Sequence, residues 1–207
     1  MTGETSTAAQ TQAARQHDED LAAVEGASGG EGSPFETLVR KYQGWVFTLA
    51  YRMLGDRAEA EDMAQEIFLK VYRSLLQFER KSSFSTWLYA IATNHCLNHV
   101  ESRRRRPRLQ EMIRPGPTES NSDPVEARVA DPAPGGDQVL EQADLRRLIQ
   151  EQILRLTPEH RAILVLRDIQ GLAYEEIGGL LGLESGTVRS RLHRARTELK
   201  ERLTPYR

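Results

Sequence analysis

The chain has 207 residues and a formal net charge of -2, a length that suits one large domain or two small ones. Cys96 is its only cysteine, which excludes an internal disulfide, and no apolar run approaches the ~18 residues of a membrane span. A soluble, cytoplasmic protein is therefore expected.

Charge is strongly segregated. Residues 1–33 carry six acids and one arginine, whereas residues 184–207 carry seven bases against three acids. A chain so divided is a candidate polyanion binder despite its overall acidity. Residues 1–33 lack periodic apolar positions and read as a disordered acidic tail.

Structure is predicted to begin at Ser33-Pro34-Phe35-Glu36, which has the form of a capping box with proline at the first helical position. A helical stripe through Leu38, Val39, Tyr42, Val46, Leu49 and Met53 then runs to Gly55. The next helix, from about Arg57 to Leu76, turns Ala60, Ala64, Ile67, Phe68, Val71 and Leu75 inward. Its opposite side holds Asp62, Gln65, Glu66 and Leu69. Carboxylates and an amide around an exposed leucine suit a protein-docking surface better than a solvated one.

The segment FSTWLYAIATNHCLNHVESRRRRPR, Phe84 to Arg108, is the most informative stretch. One edge of its helix runs Trp87, Ile91, Asn94, Asn98, Arg105, and Arg103 and Arg104 lie in the basic run that follows. Aromatics stack on bases, amides bond base edges and arginines hold phosphates, which together suit single-stranded or melting nucleic acid. Five of nine prolines then fall within residues 109–138, a flexible linker. The fold class expected is all-α: an amino-terminal domain over 34–108, the linker, and a four-helix domain over 139–207.

In that second domain Thr157-Pro158 caps a helix, and Gly182 makes the turn of a helix-turn-helix through Ile177, Leu181, Leu183, Val188 and Leu192. The last helix turns Ser190, His193 and Arg194 outward, flanked by Arg189 and Thr197, where a recognition helix meets base edges in the major groove. Arg191, Arg196 and Lys200 stand to the sides, placed for phosphates.

Enzymatic signals are weak. No glycine-rich phosphate loop, GxSxG or cysteine pair occurs. His95, Cys96 and His99 crowd one turn without a fourth ligand, and Glu61, Asp62 and Glu66 oppose a core stripe, so neither set reads as a metal site. No cofactor or metal is expected.

AEDMAQEIFLKVYRSL (Ala60 to Leu75), FSTWLYAIATN (Phe84 to Asn94) and LAYEEIGGLLGLESGTVRSRLHRAR (Leu172 to Arg196) occur in that order. From about Phe35 to Leu203 the chain resembles bacterial sigma factors of the extracytoplasmic-function (ECF) type. The resemblance implies an initiation factor that binds core RNA polymerase, directs it to promoters, helps melt them, catalyses nothing and answers to an anti-sigma factor. It implies that the Asp62, Gln65 and Glu66 face docks on the polymerase clamp helices. Ser74, Phe78 and Asn94, with the loop from Gln77 to Ser85 that includes Lys81, would take a base flipped from the minus-ten element. Arg189, Ser190, His193 and Arg194 would read the minus-thirty-five element. Gly178 stands where an alanine is frequent in such motifs, a departure expected to loosen the turn.

Two rival readings differ in what they predict. A stand-alone helix-turn-helix regulator would bind its operator tightly without polymerase. A single-strand nucleic-acid enzyme would cleave in a metal-dependent way.

Overall fold

The computed structural model describes residues 18–27, 32–105 and 136–206. Helix α1 spans residues 18–27. It is followed by α2 (Gly32–Leu54), α3 (Arg57–Ser74), a short 3-10 turn (Leu75–Gln77) and α4 (Phe84–Arg105). After the linker come α5 (Gly136–Leu154), α6 (Pro158–Leu164) with a π turn (Val165–Ile169), α7 (Tyr174–Leu181) and α8 (Ser185–Leu203). No strand occurs among the described residues, and the fold is all-α as expected. The stretch read as a linker lies outside the described residues except for its last three positions, which open α5.

The helix boundaries follow local chemistry. Gly55 adopts φ +87°, which reverses the chain after α2, and Asp56 then caps α3 by accepting from the Glu59 N–H at 2.8 Å. Ser83 does the same for α4 through the Thr86 N–H at 3.1 Å. Thr157 caps α6, with Pro158 in the first helical position. At the turn between α7 and α8, Gly182 takes φ +65°.

Gly178 corrects an expectation. The Leu183 N–H donates to the Gly178 carbonyl at 2.8 Å, and a Cβ at 178 would lie 2.5 Å from the Leu183 oxygen. Glycine here lets α7 and the following turn approach closely; it tightens the turn.

A second correction concerns the amino-terminal tail. Residues 18–27 form α1, with Val24 and Ala27 buried. Asp20 is buried as well, with its carboxylate taking hydrogen bonds of 2.5 Å from Lys41 Nζ and the Tyr42 hydroxyl. The disordered reading therefore fails for this segment.

Helix α2 packs on α3 and α4, and α8 packs on α5, α6 and α7. The two groups also meet, because α4 touches α6 and α7 while α2 touches α5 and α6. Leu49, Met53, Leu88 and Cys96 from the first group share one buried cluster with Ile163, Leu166 and Ile177 from the second. A polar clasp fastens the seam. Arg161, itself buried, donates to the carbonyls of Met53, Leu154 and Leu156. Buried Gln150 donates to the Tyr51 carbonyl at 3.1 Å and accepts from Arg52 at 2.8 Å. Burial, reinforced by nearby Arg104, pulls the Arg161 guanidinium down to about 10, still fully charged at neutral pH.

Candidate docking and nucleic-acid interfaces

On α3 the side opposite the core is open: Asp62, Gln65 and Glu66 are exposed and Leu69 is 55% exposed. The structure brings these four together on one face. It adds Tyr72, 49% exposed, which sequence reading missed although it lies three residues after Leu69, on the same side. Tyr72 meets Phe35 edge-on at 5.0 Å between ring centroids. Phe35, Val39, Phe47 and Phe68 continue an open apolar groove between α2 and α3. Glu66 also meets His95 Nε2 at 3.1 Å, while its side chain stays 62% exposed. This face offers an apolar strip bordered by carboxylates, a surface that fits a basic or amphipathic helical partner.

At the foot of α4, Phe78, Phe84 and Trp87 form an aromatic cluster. Phe78 lies 5.1 Å from Trp87 and 6.0 Å from Phe84, between ring centroids. Phe78 is only 8% exposed, so it supports Trp87 from below and is no open platform for a base. Ser74 is half-buried at the start of the 3-10 turn. Lys81 is exposed and paired with Glu79. Asn94 and Asn98 are both exposed, one turn apart. Asn94 sits seven residues beyond Trp87, about 10 Å along the axis. The structure thus brings Phe78 against Trp87 at the foot of α4 and places Asn94 and Asn98 apart from them, farther along the helix.

The basic end of α4 is partly committed elsewhere. Arg103 donates to both oxygens of Glu59, at 2.5 and 2.6 Å, and His99 meets the same carboxylate at 2.9 Å. Arg103 therefore ties α4 to α3 in this state. Arg104 is exposed, and Arg105 closes α4 with a side chain outside the described residues. The metal alternative dissolves on geometry. His95 faces Glu66 and His99 faces Glu59, while Cys96 is fully buried, its thiol pushed up to about 12 by burial. Among the described residues no three or more His, Cys, Asp or Glu side chains are gathered as metal ligands.

On α8, Val188, Leu192 and Ala195 are buried. Arg189, Ser190, His193, Arg194 and Thr197 are exposed, and Arg191 is half-buried. These residues share one helix and the outward ones form a continuous polar surface. Arg196 is paired with Asp168 of the π turn, with Nε donating to Oδ2 at 2.9 Å. The Arg189 guanidinium lies 5.8 Å from the centre of the Tyr174 ring, which Arg167 also covers at 4.9 Å. Arg189 is thereby supported as a cation over an aromatic face.

Residues 38–106 match the family model for Sigma-70 region 2, and residues 146–199 match that for Sigma-70, region 4. The chain is 39% identical over 186 residues to the ECF RNA polymerase sigma factor SigE of Mycolicibacterium smegmatis, covering 89% of this chain and 68% of that protein. It is 34% identical over 188 residues to the RNA polymerase sigma-H factor of Pseudomonas aeruginosa, covering 91% and 95%. In fold it is similar to the sigma factor RpoE solved in complex with the anti-sigma factor NepR from Bartonella quintana. That match has a TM-score of 0.58 at 24% identity and covers 84% of this chain and 98% of the other.

Proposed function

Because the chain belongs to the extracytoplasmic-function sigma factors, transcription initiation factors rather than enzymes, we propose that it docks on core RNA polymerase, selects promoters at two elements and promotes their melting. The observation that carries this reading is the pairing of two surfaces in one chain: the carboxylate-edged apolar face of α3 and the polar outer face of α8. In this reading Asp62, Gln65, Glu66 and Leu69, extended by Tyr72, meet the polymerase. Trp87, backed by Phe78, faces the melted minus-ten strand together with Ser74 and Lys81, and Asn94 and Asn98 take base edges farther along α4. Arg104 and Arg105 hold upstream phosphates. Arg189, Ser190, His193 and Arg194 read the minus-thirty-five duplex, with Arg191, Arg196 and Thr197 at its backbone.

The burial of Phe78 refines the capture pocket: its ring orients Trp87, and Trp87 presents the stacking face. Control by an anti-sigma factor is part of the proposal, supported by the NepR-bound relative of the same fold. Action in the cytoplasm, beside the polymerase, follows from the same reading. The test is run-off transcription from genomic promoter fragments with core polymerase, with and without the chain. Specific transcripts only in its presence are expected; identical transcript patterns would overturn the proposal.

A further inference from the structure

Among the described α-helices, α1 alone lies wholly outside both family matches. It is built to sit in one place. Asp20, Val24 and Ala27 are buried, and Asp20 bonds Lys41 and Tyr42 of α2. A Cβ at Gly26 would approach the Pro34 ring at 2.8 Å, so the helix packs hard against the start of α2. Tyr42, which Asp20 holds, leans on Phe84 with ring centroids 5.7 Å apart. The anchor of α1 is therefore the base of the Phe78, Phe84 and Trp87 cluster.

From that seat α1 reaches the loop between the 3-10 turn and α4. Glu25 Oε1 meets Arg80 Nη1 at 2.8 Å. Arg80 has φ +56°, the only positive value at a non-glycine among the described residues, a conformation arginine adopts only when its surroundings favour it. Both side chains remain about half exposed, 52% and 59%. A strand phosphate could thus reach the guanidinium and displace the carboxylate. An exposed arginine in the loop after Phe78 is a phosphate ligand of the standard kind, and a carboxylate is the nearest thing to phosphate that a protein can set against it. Asp18 and Glu19, exposed on the same helix, add negative potential that opposes an approaching strand.

We propose that Arg80 takes a backbone phosphate of the melted strand and that Glu25, delivered by α1, occupies Arg80 beforehand as an internal competitor. The inference rests on the reading above that the foot of α4 receives melted DNA. It assigns α1 a role of its own: it sets how readily the strand is captured.

The test uses full-length chain bound to core polymerase and a 5′-labelled, mixed-sequence single strand of about 20 nucleotides. Anisotropy titration is corrected for core alone. An exposed ion pair corresponds to roughly 1.5- to 5-fold in an equilibrium constant, so E25Q is expected to tighten strand binding by that factor. R80Q is expected to weaken it and to lower the slope against log salt by about 0.7, one single-strand phosphate. Adding E25Q to R80Q should then change nothing. Binding by E25Q equal to wild type overturns the proposal, and so does equal tightening in the R80Q background, which would make α1 a general field only. Run-off transcription by the wild-type holoenzyme separates the two levels. If it initiates while E25Q binds as wild type, only the competitor falls; if it never initiates, the underlying reading falls too.

Discussion

Arg194 and Arg196 lie two residues apart on α8 yet enter DNA binding with different histories. Arg194 is exposed, whereas Arg196 already donates to Asp168 at 2.9 Å. The Asp168 pair must open before Arg196 can hold a phosphate, so Asp168→Asn is expected to tighten duplex binding by roughly 1.5- to 5-fold, the worth of an exposed ion pair, measured by anisotropy at fixed salt. Arg194→Ala should instead lose about 1–3 kcal/mol on the preferred minus-thirty-five sequence and little on others, which competition on a small promoter library would reveal. Cys96 gives a third readout. With its thiol pushed up to about 12 and fully buried, native alkylation at pH 8 should be orders of magnitude slower than in denaturant, because almost no thiolate is present or reachable. Rapid labelling of the native chain would contradict the packed seam around α4.

Individual helices show which features a sequence can disclose. The stripe Ala60, Ile67, Phe68, Val71 and the stop at Gly55 were legible because periodicity and glycine chemistry act over a few residues. Gly178 was misread, since its reason is a carbonyl five residues on that only the folded turn brings within 2.5 Å of a would-be Cβ. Gly178→Ala should destabilise the chain by about 1–3 kcal/mol through overpacking, a loss of several degrees in the thermal melt followed by circular dichroism. Helix α1 escaped notice for a related reason. Its acids dominate its composition, and its anchor Asp20 makes sense only beside Lys41 and Tyr42, some twenty residues away. The same distance effect hid the Glu59–Arg103 pair. By contrast the open face of α3, with Asp62, Gln65, Glu66 and Leu69 exposed together, was legible from periodicity alone. Asp62→Arg combined with Glu66→Arg should abolish co-purification with core polymerase while leaving helix content intact, since both side chains are exposed.

At the scale of the whole molecule, the shared cluster around α4 and the Arg161 clasp bring the two groups of helices together. Promoter elements about twenty base pairs apart are separated by roughly 70 Å at ~3.4 Å per pair, whereas α7 lies directly on α4. Reading both elements at once thus requires α4 to part from α6 and α7, and a linker of about thirty residues can extend to roughly 100 Å. Arg161→Leu leaves the Met53, Leu154 and Leu156 carbonyls without this donor, and of the three Met53 lies across the seam. The substitution should weaken the closed form by about 1–3 kcal/mol for that stranded acceptor, seen as a larger radius of gyration in small-angle scattering. If both elements are read at once, closure also acts as a tax on affinity. If only one molecule in a hundred is open, the apparent dissociation constant for a two-element promoter rises about a hundredfold over its intrinsic value. Loosening the clasp should therefore make the chain a poorer folder and a better binder, so that thermal stability and promoter affinity move in opposite directions through the same arginine.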